Sequence, residues 1–145
     1  GWKGVKIIAV DTGIDGLKAT GGKAIEDVYM GAAITFDSPA MTGQQKATNE
    51  EARGVLGESL NSIQIGFYDS VYALKAGIEK AQSIDPKKVA AVMADVSFTS
   101  FYGSKVDFYG TDTYGSRQQM RLPVTITQVK DGNLVEKTRL VPSGK

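Results

Sequence analysis

Cysteine and histidine are both absent from this 145-residue chain. Without cysteine there are no disulfides, no thiol nucleophile and no thiolate metal ligand, and the redox compartment stays undetermined. Without histidine, Ser-His-Asp and Cys-His mechanisms are excluded within the chain, and so is a His-bearing zinc site. Long hydrophobic runs are lacking too, so the sequence offers no membrane-spanning segment. Charge of one sign does not accumulate: 17 basic residues face 16 acidic ones, for a net charge of +1. That scattered balance provides no basic patch for nucleic acid or an anionic membrane. Gly1-Trp2-Lys3-Gly4 leads straight into a strand-like run, with no signal-peptide pattern. An exported protein carrying this stretch would be present as mature or truncated material.

What is present is a globular composition, 41% hydrophobic, in a chain long enough for an ordinary core. Glycine is plentiful at 17, with many glycines at junctions between elements. Leu60 to Gln82 holds the longest clean helical pattern. Ile63, Phe67, Val71, Leu74, Ile78 and Ala81 recur at steps of three and four, one apolar face of an α-helix. Tyr68 and Tyr72 sit beside that face with Asp69 between them. The plain reading is an amphipathic helix packed on a sheet; the sharper one has Tyr68 facing a ligand.

The remaining elements follow from local signals. Val5–Val10 reads as a strand buried on both faces, as in a parallel sheet. It stops at Asp11-Thr12-Gly13, and loops at the carboxyl ends of such strands are where ligands bind in open α/β sheets. A short helix is predicted between Asp15 and Glu26, weakened by Gly21 and Gly22, then a strand over Asp27–Thr35. Thr42–Glu58 reads as helix, with Asn49 as an N-cap ahead of Glu50 and Glu51 and Gly57 as its close. Asp85-Pro86 starts another helix, whose apolar face is Val89, Val92, Met93 and Val96. Ser97–Met120 is rich in glycine, aromatics and small polar residues, with one short strand over Lys105–Phe108. Val124–Val129 and Leu134–Leu140 form a hairpin about Lys130-Asp131-Gly132-Asn133, a type I′ turn signal.

Chemistry-bearing motifs are few. Gly13-Ile14-Asp15-Gly16 and Gly21-Gly22 lack the phosphate-cradling spacing and its lysine. Asp107, Asp112 and Asp131 do not match a calcium loop, so no metal is expected. Asp11 at a strand end could pair with a ligand ammonium, or cap its own turn. Phe98, Phe101, Tyr102, Phe108, Tyr109 and Tyr114 could line a cleft or form a satellite core; the satellite core is the preferred reading. Arg117 and Arg121 could bind a carboxylate, or lie on the surface.

The order and spacing of these pieces resemble the C-terminal portion of a type I periplasmic solute-binding protein of ABC importers, in the branched-chain amino acid and amide-binding group. The resembling stretches include Gly1–Ile8, Gly22–Tyr29, Phe67–Leu74, Ile78–Ala81 with Asp85–Val89, Gly103–Phe108, Arg117-Gln118 and Gln128–Gly132. The resemblance implies an α/β fold, part of a two-lobe clamshell with Rossmann-like lobes and a C-terminal β-hairpin. It implies that 1–40 belongs to the C-terminal lobe, 41–108 to the N-terminal lobe, and 109–145 to the C-terminal lobe again. It carries ligand contacts onto Asp11 (the ligand's amino group), its loop neighbours Thr12 and Gly13, and Tyr68.

The function it implies is extracytoplasmic or periplasmic capture of an amino acid, keto acid, aromatic acid or amide, without catalysis or cofactor. The ligand would be delivered to an ABC permease. The carboxylate-binding loop would lie outside this chain. Because such a portion leaves apolar surface uncovered, it is expected to bind the N-terminal half of the same protein or to self-associate. Alternatives are a ligand-sensing regulatory domain of the same fold, or a small enzyme using Asp11 or Asp107 as general base beside Arg117.

Overall fold

A computed structural model describes residues 2–9 and 14–143. The chain divides into two compact units, Gly1–Gln64 with Val124–Leu140, and Ile65–Pro123 with Val141–Lys145.

The first unit is built on a four-stranded mixed sheet. Strand β1 (Lys6–Ile8) is followed by helix α1 (Ile14–Gly21) and a 3-10 turn (Gly22–Ile25), then by β2 (Val28–Gly31). The second glycine of Gly21-Gly22 takes φ 47°, so the α-helix ends there and the tighter turn takes over. β1 and β2 pair in parallel, with Ile7 opposite Tyr29. The final hairpin, strands Val124–Lys130 and Asn133–Leu140, completes the sheet, its first strand lying antiparallel to β2 with Tyr29 opposite Gln128. Asp131 and Gly132 take φ 50° and 71°, the double positive φ that a type I′ turn requires. Glu26 holds the hairpin tip by accepting the Asp131 N–H at 3.0 Å. The core beneath is Ile25, Val28, Met30, Ala33 and Val129, joined by Ile8, Ile14, Leu17 and Leu134.

Two expectations are corrected here. β1 is an edge strand, not one buried on both faces: Ile7 is 72% exposed. β2 is also much shorter than Asp27–Thr35, because Asp27 and Ala32 both adopt φ 63° and break the extended run at either end.

Helix α2 (Gly43–Leu56) begins at Thr42, which forms a capping box with Gln45, and it ends at Gly57 with φ 77°. Asn49 is therefore not an N-cap. It lies mid-helix and buried, where its Oδ1 accepts the Leu60 N–H at 2.9 Å and ties down the connection to the next helix.

That helix, α3 (Ser62–Ala81), starts at Asn61, whose Oδ1 accepts from the backbone of Ile63 and Gln64. Most of α3 belongs to the second unit. Its buried positions are Ile65, Asp69, Ala73 and Gly77. The periodicity places the core on Ile63, Phe67, Val71 and Leu74; the structure leaves all four exposed, Phe67 by 69%. The helix turns its small and polar stripe inward, and nothing among the described residues buries the large apolar one. Helix α4 (Pro86–Val92) is capped by Asp85, which accepts the Lys87 N–H at 2.9 Å. It packs closely on α3: a Cβ on Gly77 would stand 2.5 Å from Met93 Sδ and 3.2 Å from Val89 Cγ1. Ala73, Val96 and Phe108 form the core here, with Ala76, Met93, Phe98 and Met120 against it.

Ser97–Met120 carries more regular structure than the single short strand its composition predicts. β3 (Phe98–Thr99) pairs antiparallel with β4 (Lys105–Val106), and β5 (Phe108–Tyr109) with β6 (Gln119–Met120), the latter pair enclosing a turn of helix α5 (Thr111–Tyr114). The hairpin strands of the first unit are accordingly β7 and β8. Phe101 and Phe108 are buried, as a satellite core requires, while Tyr114 is exposed.

Candidate functional site

Helical spacing brings Tyr68 and Tyr72 together on α3, one turn apart. Their ring centroids lie 4.7 Å apart at 37°. The turn between β3 and β4 supplies two more rings. Phe101 meets Tyr68 edge-on at 5.6 Å and 84°, and Tyr102 meets Phe101 at 6.0 Å and 89°. The four aromatics make one continuous row, and its two contacts through Phe101 have the edge-on geometry that suits the ring quadrupoles. Phe101 is buried within it, whereas Tyr68 is 36% exposed and presents its ring to solvent.

The electrostatics follow from that packing. A hydrogen bond with Tyr72, then burial, then the charges of Tyr72 and Asp69 push the Tyr68 hydroxyl up to about 12. Tyr68 is therefore neutral in ordinary conditions, able both to donate to and to accept from a polar solute. Behind it lies Asp69, fully buried. Its Oδ1 accepts the Phe101 N–H at 2.7 Å. Its Oδ2 has no hydrogen-bond partner among the described residues. Burial pushes the carboxyl up to about 6, the Phe101 N–H opposing it.

The first unit has a cleft of its own, about 360 Å³, lined by Ile14, Asp15 and Gly16 of α1 and by Arg53, Glu58 and Leu134. Asp11, Thr12 and Gly13, the other residues the resemblance points to, lie outside the described residues. The residue that follows them, Ile14, opens α1 and lines this cleft.

A family model described as "Periplasmic binding protein" matches residues 1–133. The chain belongs to the periplasmic binding protein family. Similar solved structures agree on the fold. A leucine-binding protein from Thermotoga maritima is 20% identical, with a TM-score of 0.75 over 98% of this chain and 39% of that one. A leucine-, isoleucine-, valine-, threonine- and alanine-binding protein from Brucella ovis, in a closed conformation, is 13% identical, with a TM-score of 0.73 over 97% of this chain and 37% of that one. An ABC-transporter solute-binding protein from R. palustris, in complex with benzoate, is 19% identical, with a TM-score of 0.62 over 88% of this chain and 33% of that one. The chain thus spans well under half the length of these proteins.

Periplasmic binding proteins are solute-binding proteins, not enzymes. Asp107, expected as a general base beside Arg117, lines the same cleft as Arg117. It pairs with Arg121 at 3.0 Å, while Arg117 pairs with Asp95 at 3.2 Å. Both pairs line a cleft of about 510 Å³ in which each of these charges already has a partner.

Reasoning from sequence reaches Tyr68 and sets Tyr72 and Asp69 beside it, but does not join them to Phe101 and Tyr102. Asp69 as a buried acid, and Phe101 and Tyr102 as ring partners, are not singled out. The spacing of Ile65, Asp69, Ala73 and Gly77 at steps of four is the available signal for Asp69, since an acid in the small-residue stripe of a helix is buried if that stripe is.

Proposed function

We propose that this chain is part of the extracytoplasmic solute-binding component of an ABC importer. The whole protein would hold a small amino acid, or a related keto acid, aromatic acid or amide, between two lobes and hand it to a membrane permease. The family match over residues 1–133 carries the reading. The leucine and benzoate named for similar structures support a range of small, mostly apolar organic acids. An aromatic row that includes a half-open, neutral tyrosine suits such solutes, because it offers an apolar wall and one polar handle.

In this reading Tyr68 contacts the ligand, Asp11 takes its ammonium through charge-assisted hydrogen bonds, and Thr12 and Gly13 are neighbours on the same loop. Residues 1–40 and 109–145 belong to one lobe and 41–108 to the other. Ligand contacts to both lobes favour a closed form, which the permease receives. No cofactor takes part. The exposed stripe of Ile63, Phe67, Val71 and Leu74 is covered by the N-terminal part of the longer protein, or by a second copy when the chain is alone.

The test is calorimetry and thermal shift on the full-length protein with leucine, its keto acid, benzoate and an amide. One class should raise Tm, by about 2.7 kcal/mol of stabilisation at a hundredfold excess over Kd. Tyr68→Ala should weaken binding of that class at least roughly tenfold, and Asp11→Asn should do so only for amino acids. No stabilisation by any class would overturn the reading.

A further inference from the structure

The turn between β3 and β4 is almost complete in itself. Ser100 N–H donates to Ser104 O at 2.9 Å, Gly103 N–H to Ser100 O at 2.9 Å, and Tyr102 N–H to Ser100 Oγ at 3.1 Å. Gly103 takes φ 76°, which closes the turn. The Phe101 N–H instead leaves the turn and reaches Asp69 on α3, 32 residues away. One buried carboxylate oxygen thus joins the turn to the helix that carries Tyr68. A buried acid with an orphaned second oxygen is costly. An apolar residue in this stripe would avoid that cost, so the feature calls for a reason beyond filling space.

The aromatic row supplies one. Phe101 follows Ser100 directly, so the position of its backbone N–H sets where its ring stands. That ring meets Tyr68 edge-on. We propose that Asp69 is a positioning residue for the solute site: its carboxylate holds the turn against α3, and the Phe101 ring so placed fixes the orientation of Tyr68. The proposal rests on the reading of Tyr68 as a ligand contact. It adds that Asp69 and Phe101 shape the site without touching the solute.

Amide hydrogen exchange and ring-proton shifts by NMR on the full-length protein test this without any ligand. Asp69→Leu removes the acceptor. Phe101 amide protection should fall at least about a hundredfold, with Ala73 on the same helix changing far less, and the Tyr68 ring resonances should move. Asp69→Asn keeps an oxygen at the same place but without charge, which weakens the bond. It should cost Phe101 only about three- to tenfold in protection and leave the Tyr68 resonances near their wild-type positions. Unchanged Phe101 protection in Asp69→Leu overturns the proposal, as does an unmoved Tyr68 ring. Should Asp69→Leu not fold, Asp69→Asn decides, because an equal change at Phe101 and Ala73 removes the anchor. A solute whose Kd is the same for wild type and Tyr68→Ala would instead remove the ligand reading and leave the exchange result standing, so the two failures are distinguishable.

Discussion

The two long faces of α3 are filled the opposite way from an ordinary amphipathic helix. One carries Ile65, Asp69, Ala73 and Gly77 and is buried; the other carries Ile63, Phe67, Val71 and Leu74 and is open. Burial tracks apolar area when all partners are present. The inward stripe instead has one large apolar residue, one acid and two small residues, and the smallness of Gly77 is what lets α4 approach. The outward stripe is the kind of contiguous apolar surface that marks an interaction site. The inner face is thus specific to this chain's own packing, and the outer face is the one that the proposed reading assigns to another polypeptide.

The largest expected effect separates the faces directly. Ile65 is 1% exposed. Ile65→Ala should cost about 2–5 kcal/mol by urea unfolding, through lost burial and a residual cavity. A cost below about 1 kcal/mol would mean the inner face is not the packed one. Asp69 gives the next largest effect, through pH. Its carboxyl is raised from 3.8 to about 6. The folded state therefore binds the proton more tightly than the unfolded chain, and stability from this group is full below pH 3.8 and declines as pH rises to about 6. At about 1.4 kcal/mol per unit the decline is roughly 1–3 kcal/mol. Asp69→Asn should flatten that part of the curve, and since other acids cancel between the two proteins, parallel curves would show that Asp69 ionises as freely folded as unfolded.

Local chemistry was legible in the sequence where one short stretch decides the outcome. Asp85 followed by Pro86 starts α4 as read, and Asp131-Gly132 turns the hairpin as read. The limits of α3 differ from the apolar pattern by two residues at one end and one at the other. What escaped depends on residues far apart. Periodicity locates an apolar stripe on α3 but does not say what covers it, so it points to the wrong face as the buried one. Asn49 has the side chain of a cap, and only the return of Leu60 shows that it holds a connector. At the site, the helical pattern offers Tyr68 and the resemblance supports it, but the row needs Phe101, brought in by an acid 32 positions earlier.

The glycines of α3 sharpen the comparison at smaller scale. Gly66 has nothing within 4 Å of where a Cβ would stand, whereas Gly77 faces Met93 and Val89. Alanine is better than glycine in a helix by about 1 kcal/mol. Gly66→Ala should therefore stabilise by about 0.5–1 kcal/mol. Gly77→Ala should lose that gain to overpacking and cost about 1 kcal/mol net, part of the clash relaxing through the flexible Met93 side chain. Equal gains at both would show that α4 does not need the close approach.

The smallest effect within this chain is expected at Phe67. Its ring is already in water, so Phe67→Ala should change the unfolding free energy by no more than about 0.5 kcal/mol. In the longer protein the same substitution should cost about 3–5 kcal/mol, because there the ring would be covered and its loss would leave a cavity. The difference between the two contexts measures the cover itself, since everything the ring touches inside this chain cancels. If Phe67→Ala were as harmless in the longer protein, the outer face would be open there too. The stripe would then be free for a second copy, and light scattering on the longer protein would show an association that Phe67→Ala weakens.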